Sequence, residues 1–183
     1  MDIFAHGLWA GAFAKIFNLK LKNKINFWWT AFWGMFPDLF AFTIPFVFMI
    51  WNLICGKNGV PDPNAIEPVS HSIPLSNIAH NLYNISHSLI VFAIVFLILF
   101  LIFRKPIWVM LGWLLHILID IPSHTYAFYP TPLFWPISDL KFSGVSWANP
   151  IFLIVNYAML IIVYSIIFYE TRKLKNNKKG KRK

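Results

Sequence analysis

Ser88-Leu89-Ile90-Val91-Phe92-Ala93-Ile94-Val95-Phe96-Leu97-Ile98-Leu99-Phe100-Leu101-Ile102-Phe103 contains no charge, no proline and no glycine. Crossing about 30 Å of bilayer hydrocarbon takes roughly 20 mostly apolar residues, and with its flanks this run is long enough. The same pattern extends outward. Val69 to Phe103 and Phe142 to Tyr169 carry no charge, Ile25 to Gly56 carries only Asp38, and Pro106 to Ser138 carries only Asp120. Across the 183 residues, 58% are apolar, 19% aromatic and 13% charged, with mean hydropathy +0.60. A soluble domain carries about 25% charged residues, so a soluble or disordered chain is excluded. The expected fold is all-α: a multi-pass transmembrane bundle of about five helices.

The net charge of +9 is unevenly placed. Residues 171–183 hold eight Lys/Arg and no acid, whereas residues 1–170 hold eight against seven acids. This divides the chain into one helical membrane domain, 1–170, and a basic tail, 171–183. By the positive-inside bias, Lys15 to Lys24, Arg104-Lys105 and the tail are expected in the cytoplasm, at a cell (inner) membrane. Helices at Ile3 to Asn18, Asn26 to Ile54, about Leu75 to Phe103, Ile107 to Ile121 and about Asn149 to Arg172 satisfy all three clusters. The first has no basic leader and reads as a retained helix rather than a signal peptide. Pro37 and Pro45 predict a kink or break in the second, beside Asp38. Lys57 to Pro74 and Ser123 to Trp147 read as outer loops, the second aromatic enough for a lid or an interfacial collar. Anionic lipid headgroups suit the tail, which has no interleaved aromatics for nucleic acid. A lone cysteine, Cys55, excludes an internal disulfide.

An acid at mid-bilayer costs roughly 2.5 to 3.5 kcal/mol on insertion scales, which marks Asp38 and Asp120 as functional candidates. Neither has a Lys or Arg in its own helix, so histidines are the natural partners. His116 precedes Asp120 by four residues, which puts both on one helix face where they can share a cation. His87 sits in Ser86-His87-Ser88 at the mouth of the apolar run, and His6 lies one turn into the first helix, on the outer side of the membrane in this layout. Pro122 predicts that His124 projects from the loop rather than continuing the helical face. Nitrogen and oxygen donors without thiolates suit Zn²⁺, Mn²⁺ or Fe²⁺. The plainer readings are a hydrogen-bonded His116–Asp120 pair and Asp38 as the N-cap of a half-helix. His71 and His80 read as loop and helix-start residues.

Gly34-Met35-Phe36-Pro37-Asp38-Leu39, Ser86-His87-Ser88, Gly112-Trp113-Leu114-Leu115-His116-Ile117-Leu118-Ile119-Asp120 and Phe134-Trp135-Pro136, in that order after an early histidine, resemble the signature of the YdjM-like family of predicted membrane-bound metal-dependent hydrolases. Two departures stand out. Phe40 and Ala41 replace the Asp-His that usually ends Pro-Asp-x-Asp-His, and Leu82-Tyr83-Asn84 replaces the usual His-Arg-Gly, so ligands for a second metal are lost. The resemblance implies one divalent ion, Zn²⁺ foremost, held by Asp38, His87, His116 and Asp120. The order of these ligands is also distantly similar to that of helical zinc-dependent phospholipases C and related nucleases, which would give His6 a metal-binding role. The implied activity is hydrolysis of an ester or phosphoester, from a small-molecule or lipid-linked substrate. Asp38 or Asp120 would be the base and His124 the acid. A transporter or proton-conducting protein built on the same intramembrane residues is the rival reading, followed by a bis-histidine haem protein and a scaffold.

Overall fold

The computed structural model describes residues 1–21, 24–55, 76–127 and 129–180. The expectations for Lys57 to Pro74, His71 and Phe128 therefore fall outside the described residues. Six helices follow one another: α1 Ile3–Lys20, α2 Phe27–Ile54, α3 Ser76–Ser86, α4 Leu89–Phe103, α5 Leu111–Ser123 and α6 Pro150–Gly180, with one 3₁₀ turn at Trp108–Met110 before α5.

Local chemistry accounts for the helix starts. Asp2 caps α1 by accepting from Ala5 N at 3.0 Å, and Asn26 caps α2 by accepting from Trp29 N at 3.0 Å. Each side chain satisfies an N–H that the first turn leaves without a partner. Asn149 does the same for Ile151 N ahead of α6.

Two expectations about helix continuity are corrected. The segment expected as one helix from Leu75 to Phe103 is two, α3 and α4, bent by 59° at His87-Ser88. Ser88 is the cause: its Oγ accepts from Ile90 N and Val91 N, starting a new helix, and donates to Trp135 O at 2.5 Å. Conversely, α2 runs without a break past Pro37 and Pro45, so Asp38 lies within a helix and caps nothing. Pro37 removes the N–H that would have reached Trp33 O, and neighbouring side chains bond to other carbonyls of the same turn, as described below. α6 also continues beyond Arg172 to Gly180, making the start of the basic tail helical.

Among the described residues, two helices are long and apolar enough to cross a membrane, α2 and α6, or three if α3 with α4 is one bent span. The 13 residues of α5 rise only about 20 Å, short of the bilayer core. Ile94, Leu97 and Ile102 on α4 and Ile151 and Ile161 on α6 are exposed, an apolar surface that lipid, not water, can cover.

Inside, small residues let backbones approach. Ala5, Gly7, Ala10, Gly11 and Ala14 line the buried face of α1. A Cβ on Gly34 would lie 2.5 Å from Ala10 Cβ, and one on Gly112 would lie 2.2 Å from Thr30 O. These contacts pull α1 and α5 onto the same stretch of α2, the packing mode expected where burial from lipid gives little drive. Helix α6 lies along α1 through Trp9 Nε1 donating to Asn156 Oδ1 at 2.9 Å and Tyr164 Oη donating to Leu8 O at 2.8 Å.

Candidate metal centre

All the close packing of α1, α2 and α5 converges on one buried cluster. His6 comes from α1, Asp38 from α2, His87 from the α3–α4 break, and His116 with Asp120 from successive turns of α5. His6, His87, His116 and Asp120 are buried; the Asp38 side chain retains 12% exposure.

The two central histidines are held from behind by backbone. His116 Nδ1 lies 2.7 Å from Gly34 O, and His87 Nδ1 lies 3.2 Å from Tyr83 O and 2.9 Å from Ser86 Oγ. A carbonyl only accepts, so both Nδ1 atoms carry the proton and both Nε2 atoms present a lone pair to the cluster. Pro37 helps supply this arrangement. It lacks an N–H and its ring crowds the carbonyl of Trp33, so this turn of α2 cannot close regularly. Gly34 O takes His116, and Pro37 O takes Ser86 Oγ at 3.1 Å.

The Nε2 atoms of His87 and His116 are 3.0 Å apart. Asp120 Oδ2 is 3.0 Å from His116 Nε2 and 3.4 Å from His87 Nε2, while Asp38 Oδ1 is 3.7 Å and 3.5 Å from them. Asp120 Oδ2 makes no hydrogen bond. Four acceptor atoms thus face one another in a largely buried cluster, which is repulsive unless a cation lies among them. Zn–N and Zn–O bonds of 2.0 to 2.2 Å in a tetrahedron put donors about 3.3 to 3.6 Å apart, and the observed spacings straddle that range. The donor set fits a divalent ion.

Around this core lies a second layer of contacts that the sequence did not signal. His6 stacks on His116, ring centres 3.6 Å apart, and its Nε2 is 2.9 Å from Asp120 Oδ1 at an angle that makes no hydrogen bond. His6 lies on the buried glycine and alanine face of α1, which turns it toward the cluster. Tyr83 stacks on His87 at 3.7 Å, and Trp113 Nε1 donates to Ser86 O at 2.6 Å. The Met1 amino nitrogen lies 2.7 Å from Asp120 Oδ1 and 3.1 Å from Ser123 Oγ. Gly34 and Gly112 were the one available clue to the backing carbonyl, since helix-interior glycines mark close approach.

His124 leaves the helix in an extended conformation, as Pro122 leads one to expect, and its Nε2 lies 3.3 Å from Asp120 Oδ1. Pro122 falls in the last turn of α5, where the helix is ending anyway, and the loop then ties the end down. Gly144 N donates to His124 O, Val145 N to Pro122 O and Trp147 N to Ser123 O, at 2.7, 2.9 and 3.1 Å. The aromatic loop is packed rather than free: Tyr129 sits against Phe42 and Tyr83, and Leu89 N donates to Leu133 O. His80 lies in α3 with its ring 4.8 Å from that of Tyr129.

Fold and cluster together define a helical membrane protein with a buried histidine–aspartate site able to hold a metal ion. The chain belongs to the YdjM inner membrane protein family, whose model matches residues 1–180. No curated protein and no solved structure matches the chain.

Proposed function

We propose that the protein is a membrane-embedded metal-dependent hydrolase of an ester or phosphoester, with Zn²⁺ as the ion. The observation that supports this most is the convergence of His87 Nε2, His116 Nε2, Asp120 Oδ2 and Asp38 Oδ1 at tetrahedral spacing, with Asp38 alone also lining a cavity. A bound divalent ion supplies Lewis-acid polarisation and lowers the pKa of water.

The four donors differ in how firmly they are held. His87 and His116 are fixed by backbone carbonyls, and Asp120 is wedged among His6, His124 and the Met1 nitrogen. Asp38, the donor with the longest spacings, borders the cavity together with His124. It is the group that can shift to admit water and accept its proton, while His124 Nε2 protonates the departing oxygen. Water adds across the scissile bond, giving an acid and an alcohol, and the proton gained at Asp38 replaces the one lost by His124. His6 steadies His116 by stacking on its ring. The basic clusters support a cytoplasmic tail: Phe17, near the end of α1, and Trp108, just past Arg104-Lys105, place their rings 6.5 Å apart, so two clusters share one end.

The test is metal content of purified protein, with turnover of bis(p-nitrophenyl) phosphate and p-nitrophenyl acetate. Wild type should hold close to one equivalent. Asp120→Asn and His116→Ala should lose both metal and turnover, whereas His124→Ala should keep metal and lose roughly 10² to 10⁴ in rate. Metal-free wild type, or full turnover in Asp120→Asn, would refute the proposal.

A further inference from the structure

Beside the cluster lies a cavity of about 230 Å³ whose lining includes Asp38, His124 and Asp2 among its polar residues and Ile3, Leu39, Phe42, Phe46 and Trp147 among its apolar ones. We infer that this cavity receives the apolar chain of a membrane lipid whose ester or phosphoester is presented to Asp38 and His124. The inference rests on the hydrolase reading and adds the substrate class and its route.

Three observations carry it. The first is the register of α2. Asp38, Phe42 and Phe46 are spaced by four residues and share one face, so a lane that begins at a carboxylate continues as aromatic surface. From Asp38 to Phe46 it rises about 12 Å, most of the roughly 15 Å half-thickness of bilayer hydrocarbon. The second is the side on which the lane opens. Leu39, Thr43 and Phe46 are exposed on a helix long enough to span the membrane, so the opening faces hydrocarbon. A lipid reaches it by moving within the bilayer, whereas a water-soluble molecule would have to leave water first.

The third is size. Pockets that enclose a drug-sized ligand occupy about 300 to 1,000 Å³, more than is available here. The cavity can hold the scissile group and the adjoining part of one chain, and the remainder must stay outside, which only a ligand already in the membrane can do without exposing apolar surface to water. Moving a chain from lipid into an apolar lane gains little energy by itself. Selection therefore falls on the polar residues and on whether the lane is open.

The experiment uses the full chain in phosphatidylethanolamine and phosphatidylglycerol nanodiscs containing a phosphatidylglycerol with a diazirine on its acyl chain. Irradiation and peptide mapping read which residues the chain touches. Phe42 is the diagnostic position because it is only 7% exposed, out of reach of surrounding lipid unless a chain enters the lane. Labelling at Phe42 should be clear in wild type and lost in Thr43→Trp, which fills the opening, and retained in Ile102→Trp, on the remote lipid-facing surface of α4.

In parallel, hexadecyl p-nitrophenyl phosphate, embedded in the disc, and bis(p-nitrophenyl) phosphate are compared. Thr43→Trp should lower the ratio of lipid to soluble turnover by roughly tenfold or more, and Ile102→Trp should leave it alone. Turnover of the soluble probe with no label at Phe42, or an unchanged ratio in Thr43→Trp, overturns the lipid assignment and leaves the hydrolase reading standing. Label at Phe42 with no turnover of either probe overturns the substrate claim together with that reading, and leaves a lipid-binding cavity.

Discussion

Adding one methyl group at Gly112 should weaken metal binding without touching a ligand. The ideal Cβ there falls 2.2 Å from Thr30 O and 2.9 Å from Gly34 N, whereas ordinary contact begins near 3.4 Å. Both obstacles are backbone of α2, so neither can rotate away. Helix α5 must therefore retreat by roughly 1 Å, and overpacking of this kind costs about 1 to 3 kcal/mol. The retreat acts on His116 one turn further along, whose Nδ1 sits 2.7 Å from Gly34 O. Lengthening that contact to about 3.7 Å takes it beyond hydrogen-bond range. Loss of a partner that orients a metal-binding histidine lowers affinity about 10- to 100-fold. The assay is chelator competition for Zn²⁺ on Gly112→Ala in detergent, with thermal melting beside it. Wild-type affinity combined with a wild-type melting temperature would refute both the close-approach argument and the backing role of the Gly34 carbonyl.

Three further outcomes are expected. Chelation should lower the melting temperature of wild type and leave that of Asp120→Asn unmoved, since ligand at 100 times its dissociation constant stabilises by about 2.7 kcal/mol; equal shifts would detach the metal from Asp120. Ser86→Ala removes the hydroxyl that joins His87 Nδ1 to Pro37 O, and should cost about 1 kcal/mol of stability and weaken Zn²⁺ binding, read by the same competition; unchanged affinity would make Ser86 a bystander. Asn156→Leu breaks the Trp9 link between α1 and α6 and should destabilise by about 0.6 to 1.7 kcal/mol in detergent unfolding, with metal content unaffected. Metal loss in that variant would mean that α6 shapes the centre.

What the sequence revealed of this site followed from scarcity. Asp38 and Asp120 stand out because nothing else in their helices is charged, and His116 follows from the four-residue spacing. The helical membrane architecture follows from the same arithmetic. Other features were hidden for physical reasons. Ser86-His87-Ser88 has no residue that forbids helix, and only Trp135 O waiting for Ser88 Oγ makes a second N-cap there worthwhile. Pro37 suggested a break because a proline removes a hydrogen bond, but the turn is held by His116 and Ser86, far along the chain, at the carbonyls of Gly34 and Pro37. The inward turn of His6 depends on how closely small residues let α1 approach, and His124 depends on loop amides at Gly144, Val145 and Trp147. Each is a long-range contact made by backbone, to which no side-chain pattern is a guide.

The proline that misled about α2 also explains why the centre lies where it does. A transmembrane helix normally satisfies its own carbonyls, and Pro37 leaves that of Trp33 without its intrahelical donor and loosens the turn. In that turn the carbonyls of Gly34 and Pro37 take further partners, side chains from α5 and α3. One irregular turn therefore contributes a carboxylate to the cluster, fixes the tautomer of His116 directly and steadies that of His87 through Ser86. Pro37→Ala should leave the helix intact or even firmer, because the N–H of residue 37 can again reach Trp33 O, while Zn²⁺ affinity falls as the tightened turn shifts Gly34 O away from His116 Nδ1. A variant that melts no lower than wild type yet binds metal as tightly would show that the histidines need no such backing.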